Sequence, residues 1–129
     1  YQPKEQLEIT DYILGYDDEL GCLQKETNVF SKEEDICLKP TVSGFQETEK
    51  DEIRFNMDLI IKTKEGYVIK KTNDLFEDEE QIEVQPLSGY YIYTDLSSYE
   101  EGEYTYEVIV KDLLSGQEAT VTADFIVET

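Results

Sequence analysis

Tyr90, Tyr91 and Tyr93 fall within the five-residue stretch YYIYT. A flat ring carrying a hydroxyl suits a sugar, on which it can stack while hydrogen-bonding the rim. Alternation along a strand puts Tyr91 and Tyr93 on one face and Tyr90 on the other, so Tyr91 and Tyr93 are the pair able to form a platform. With no Trp in the chain, the stronger expectation is that one set packs while the other decorates a sheet. Two acid-rich segments offer oxygens to calcium: Asp17-Asp18-Glu19, and the run from Asp74 to Glu80 that includes Asp78. Neither follows the D-x-[DN]-x-[DN]-G spacing or has the glycine that allows its sharp turn. Solvated loops are therefore the favoured reading and calcium the alternative.

Cys22 and Cys37 can close one short loop, which in a chain-entropy model contributes about 3 kcal/mol, or remain two reduced thiols. The residues leave both readings open. They form no C-x-x-C, and the chain has no histidine, which removes zinc coordination of the usual kind and a base-activated thiol. A G-x-S-x-G elbow and a Gly-rich phosphate loop are also missing. Among 31 acidic residues, two carboxylates at glycosidase spacing carry no information. No enzymatic activity and no cofactor are expected.

The 31 acids stand against 11 bases, for a net charge of −20, and Arg54 is the single arginine. Nucleic acid and anionic membrane surfaces are poor partners for such a chain, because both demand clustered Lys and Arg. Cationic partners, divalent cations and plain solubility are compatible with it, solubility being the commonest reason for a large charge of one sign. No run reaches the ~18 apolar residues of a membrane span, so direct insertion is not expected. The chain starts at Tyr1 without a basic-then-apolar leader, which reads as a start behind a cleaved signal or another boundary.

At 129 residues the expectation is one domain, 1–129, with a single core. Its apolar content is rich in Ile, Val, Leu and Tyr, the β-branched and aromatic types among them suiting pleated, half-buried surfaces. Residues 4–14 read as a first strand at an edge, and 15–34 as a long connection. In DICLKPTVSGF, Ile36, Leu38 and Val42 share a face, and Pro40 marks an edge or a bulge. The clearest strand is DEIRFNMDLIIK, with Ile53, Phe55, Met57, Leu59 and Ile61 inward and central. A hairpin at 64–66 leads to YVIKK, where Lys70 and Lys71 protect an edge. QIEVQ, with Ile82 and Val84, is a short strand, and YYIYT another. EGEYTYEVIVKD turns Tyr104, Tyr106, Val108 and Val110 inward, and QEATVTADFIVE answers with Ala119, Val121, Ala123, Phe125 and Val127. Seven or eight short strands with frequent turns and no convincing helix predict an all-β antiparallel sandwich. A closed lipocalin-type barrel is the structural rival.

The last two strands resemble the C-terminal pair in bacterial and archaeal immunoglobulin-like, or fibronectin-type-III-like, modules. Gly102, Tyr104, Asp112, Ser115, Gly116, Phe125 and Val127 carry the likeness, which extends over most of residues 28–128. It implies an immunoglobulin-like sandwich in which Tyr104 turns its hydroxyl back onto the backbone of SSYEEG as a tyrosine corner. Such modules serve as spacers, adhesins and binding domains. The resemblance therefore implies an exported or cell-surface, extracytoplasmic, non-catalytic module that binds protein partners, with calcium or glycan binding as the alternative.

Overall fold

A computed structural model describes residues 6–75 and 87–128. Strands are numbered in chain order. β1 (Glu8–Asp18), β2 (Gly21–Gln24), β4 (Asp35–Ser43) and β7 (Ile92–Asp95) form one sheet in the order β2-β1-β4-β7. β3 (Val29–Ser31), β5 (Phe55–Thr63), β6 (Val68–Thr72), β8 (Gly102–Asp112) and β9 (Glu118–Glu128) form the other, in the order β3-β9-β8-β5-β6. Every neighbouring pair is antiparallel except β3 and β9. The described residues contain no helix, so none is long and apolar enough to cross a membrane.

Period-two alternation puts one face of each sheet into the shared interior. Along β8, Tyr104, Tyr106, Val108, Val110 and Asp112 are buried while the residues between them are not. In β9, Val121, Ala123, Phe125 and Val127 are buried in turn. Phe125 is the hub, with its centroid 6.1 Å from Phe30, 5.5 Å from Tyr104 and 6.0 Å from Tyr106. The four-stranded sheet answers with Ile36, Leu38, Val42 and Ile92. Fully burying each large apolar side chain contributes roughly 1.5–3 kcal/mol, which is what offsets the entropy of ordering so many short strands. A polar contact crosses this interior: the hydroxyls of Thr94 and Tyr106 lie 3.2 Å apart, joining β7 to β8. Burial holds the Tyr106 phenol well above the usual tyrosine range.

Two face-to-face sheets replace the barrel alternative. The nine strands described exceed the expected seven or eight because residues 15–34, read as a connection, contain the end of β1 and all of β2 and β3. Those two strands are short, at four and three residues, and lie among Gly, Asn, Ser and charged residues that read as a loop. Nor is the first strand an edge throughout, since β2 pairs with its last residues, Gly15 to Asp18. Pro40 lies in β4 opposite Tyr12. The Val42 amide on the other side of β4 bonds Leu87, so Pro40, two residues earlier, turns its missing N–H toward that same side, beyond the end of β7 at Leu38↔Ile92. β6 forms an edge of the five-stranded sheet, with Lys70 opposite inward-facing Ile61. The exposed Lys70 and Lys71 and a register shift beside them oppose further strand addition. The expected QIEVQ strand lies outside the described residues.

Candidate functional site

The outer face of the four-stranded sheet gathers several of the side chains singled out by type. In β4, Ile36, Leu38 and Val42 enter the core, so Asp35, Cys37 and Lys39 point the other way. Register then sets their neighbours: Cys37 lies opposite Gly15 of β1 and Tyr93 of β7, Lys39 opposite Ile13, and Asp35 opposite Asp95. Cys22 of β2 lies opposite Asp17 of β1.

Cys22 and Cys37 form a disulfide, with Cα atoms 5.9 Å apart. The bridge ties β2 to β4 across the intervening β1, and both cysteines are buried although neither belongs to the main core. Gly15 of β1 lies opposite Cys37, and its missing side chain lets the β2 backbone come close. A Cβ on Gly15 would sit 1.7 Å from the Leu23 carbonyl oxygen. Inside the loop closed by the bridge, the Glu34 carboxylate accepts from Lys25 Nζ at 2.6 Å and from the Ser31 amide at 2.9 Å. Burial pushes the Glu34 carboxyl upward, but the Lys25 and Ser31 contacts outweigh it and hold the group below its ordinary range.

Tyr91 and Tyr93 stand beside the bridge. Their rings are 6.4 Å apart and inclined by 51°. The Tyr91 hydroxyl donates to Asp17 at 2.8 Å, and this bond, followed by burial, pushes its phenol above the ordinary value. Tyr93 is 60% exposed. Tyr90, on the opposite face as alternation predicts, packs against Phe55 at 5.1 Å. Asp17, Tyr91, Tyr93, Cys22 and Cys37 thus share one surface.

The other acidic residues do not join them. Asp18 accepts from the Leu20 amide at 2.6 Å, closing the β1–β2 turn in which Glu19 is exposed. Asp74 lies just past β6, beside the other sheet, where its amide donates to Asp58 at 2.8 Å and its carboxylate meets Lys111 Nζ. Lys111 also lies 3.1 Å from Asp58, and its ammonium is held above the usual lysine value chiefly by Asp74. Asp78 lies outside the described residues. Among the described residues, no three Asp, Glu, Cys or His side chains converge as a metal site would require.

Tyr104 donates its hydroxyl to the Glu100 carbonyl at 2.6 Å, the contact of a tyrosine corner. Asp112 has a larger structural part than sequence reading assigned it. Its buried carboxylate accepts from the amides of Gln46, Leu114 and Ser115 and from the Ser115 hydroxyl. The Asp-x-x-Ser spacing was the available signal, since short polar side chains bond backbone groups two or three residues on. Asp35 and Asp95 had no such signal, because their opposition depends on register.

By sequence, the chain matches no protein-family model and no curated protein. Among solved structures, it is similar to an immunoglobulin-like protein from Pseudomonas aeruginosa. The match has a TM-score of 0.56 and 13% identity, spanning 98% of this chain and 100% of that one. The fold is immunoglobulin-like. In this immunoglobulin-like sandwich, as in any such scaffold, chemistry must be argued from individual sites. Asp95 accepts from the Ser97 amide at 2.8 Å, and that bond holds its carboxyl below the ordinary range. The displacements of Asp95 and Glu34 both run downward, opposite to what a general acid requires.

Proposed function

We propose that the chain is a non-catalytic interaction module of an exported or cell-surface assembly, meeting a protein partner on the outer face of its four-stranded sheet. The observation that carries this reading is the Tyr91–Tyr93 pair beside the Cys22–Cys37 bridge. Aromatic side chains bring large contact area at low conformational cost, which is why interfaces favour them. Here one ring is anchored by Asp17 and the other is exposed on a cross-linked sheet, so little order remains to be imposed on binding. A disulfide persists in oxidising surroundings, which supports an extracytoplasmic location.

Photo-crosslinking in the native source tests the reading. A photoreactive residue replacing Tyr93 is expected to capture a specific protein, whereas one replacing exposed Thr120 of β9 captures none. Equal labelling from both positions, or none from position 93, would overturn the binding face. A native mass matching the reduced chain, in place of one two daltons lighter, would overturn the exported location.

A further inference from the structure

Independently of the Tyr91–Tyr93 face, we infer that β6 takes an extended segment of a protein partner as an added strand, presenting carboxylates to Lys71 and an apolar side chain to the cleft between the sheets. Each sheet ends here in a strand with no further neighbour among the described residues, β6 in one and β7 in the other. Between them opens a cleft of about 490 Å³ lined by Ile69, Lys70, Asp95, Ser98, Tyr99 and Tyr104. The Tyr99 and Tyr104 rings meet edge to face at 5.6 Å. Lys70 is close enough to Asp95 to add to the Ser97 bonds that hold that carboxyl low, so the two edges flank one opening. Tyr67, Val68 and Ile69, leading into and starting β6, follow one another and are all exposed, Tyr67 by 72%. On a sheet edge such a run invites pairing with another chain. Register divides the strand's faces: Lys70 lies opposite buried Ile61, Lys71 lies opposite Ile60 on the outer face, and Ile69, passed over by the register shift, lines the cleft. An added strand would drop alternate side chains over the Tyr99 and Tyr104 rings and turn the others toward Lys71.

Charge complementarity selects the occupant. Lys62 and Lys64 of the same hairpin are held by Glu107 and Glu103, whereas Lys70 and Lys71 form no close ion pair among the described residues. A second copy laid antiparallel about the middle of β6 would oppose Lys70 to its own twin, and like charges directly opposite destabilise. The opposition that the lysines set up thus makes the edge selective: it bars a like strand and admits one bearing carboxylates on the outer face. In about 0.1 M salt the charge of −20 on the whole chain is screened beyond about 10 Å, so the lysine at contact distance decides.

The test uses the 129-residue chain with its disulfide intact and the synthetic heptapeptide Thr-Phe-Glu-Val-Glu-Phe-Thr, whose acids share one face and whose apolar residues share the other. Three counterparts accompany it: one with Lys for both Glu, one with the same residues in an order that breaks the alternation, and a fully N-methylated form that lacks backbone donors. With the first peptide, amide exchange is expected to slow over residues 67–72, and amide chemical shifts to move there and at 95–99. Lys71→Glu is expected to weaken binding about fivefold, and Lys50→Glu, the same charge change at an exposed site away from this edge, by less than about twofold. Ile69→Ser is expected to weaken it about threefold, and Tyr93→Ala to leave it unchanged. Equal binding by any counterpart would mean nonspecific contact in place of strand addition and would overturn the inference. So would equal losses from the two lysine substitutions, or β6 exchange that no peptide slows. Loss of binding in Tyr93→Ala would put the peptide on the other face, and β6 protection that rises with protein concentration alone would give the edge to a second copy; either result overturns the inference.

Discussion

The hydroxyl of Tyr91 donates to an Asp17 carboxylate oxygen 2.8 Å away, joining residues 74 positions apart in the chain. This bond connects the approach to β7 with β1, two strands separated by β4. It therefore orients a ring on the outer face from a neighbour that is not adjacent in the sheet.

The bond favours the neutral phenol, so Tyr91 should ionise above the ordinary value of 10.0. A folded-state value raised in this way contributes stability that is fully present below the unfolded value, and is lost as pH climbs through the folded one. Ring-carbon NMR on labelled tyrosine, with Tyr91→Phe to assign the signal, is expected to show Tyr91 titrating late. Asp17→Ala should return it toward 10.0. A Tyr91 signal that titrates at the ordinary value in the wild-type chain would contradict the geometry.

The Cys22–Cys37 bridge spans 15 positions and encloses β3 and most of β2, both short strands. Reducing it, or replacing both cysteines by serine, is expected to lower unfolding free energy by about 3 kcal/mol. Urea melts with and without reductant measure this directly. A double-serine variant as stable as the oxidised chain would show that β2 and β3 hold without the link.

Much of the sandwich was legible because its long strands announce themselves. Five alternating apolar residues from Ile53 to Ile61, and the inward set of EGEYTYEVIVKD, have one plausible arrangement. β5 starts later than read, at Phe55, with Ile53 buried just before it, and β1 runs from Glu8 to Asp18 rather than over 4–14. β2 and β3 were not legible because GCLQ and VFS are short and lie among Gly, Asn, Ser and charged residues that read as a loop. The Cys22–Cys37 pairing depends on β2 and β4 flanking β1, a fact of register that residue types do not encode. The outer face was half legible: alternation put Tyr91 with Tyr93, but Asp17 joined them through register across three strands. Asp35 opposite Asp95 was invisible for the same reason.

Asp112 is 1% exposed and accepts the Leu114 and Ser115 amides and the Ser115 hydroxyl within the β8–β9 turn, and the Gln46 amide from the segment after β4. Asp112→Ala would leave those donors without an acceptor, at about 1–3 kcal/mol for each group left buried. The expected total is about 3 kcal/mol, since part of the turn can relax toward water. Ser115→Ala removes only the hydroxyl contact and should cost about 1 kcal/mol. Equal losses from the two substitutions in denaturant melts would show that the amide contacts contribute little.

Tyr104→Phe keeps the ring stacked on Phe125 and removes only the hydroxyl that reaches the Glu100 carbonyl. The expected loss is about 1 kcal/mol, a typical net value for one hydrogen bond. Amide exchange should quicken over residues 97–102 without spreading along β8. Uniform quickening across the strand would mean that the corner supports the entire sheet.

Gly15 offers the sharpest test of how the outer face is built. An added methyl would meet the Leu23 carbonyl oxygen at 1.7 Å and its carbon at 2.5 Å, and backbone atoms have no rotamer by which to escape. β2 cannot simply retreat, because Cys22 beside it is bonded to Cys37. Gly15→Ala should therefore destabilise by about 2–3 kcal/mol, the range of overpacking strain. At a compatible site the same change is neutral or stabilises by up to about 1 kcal/mol, and Gly89→Ala, with open space around the added methyl, supplies that comparison. In the Gly15 variant, the Tyr91 resonance should also shift toward that of an unbonded tyrosine, since β1 carries Asp17 two residues on. If both glycine variants melt alike, β2 does not lie against β1 as described.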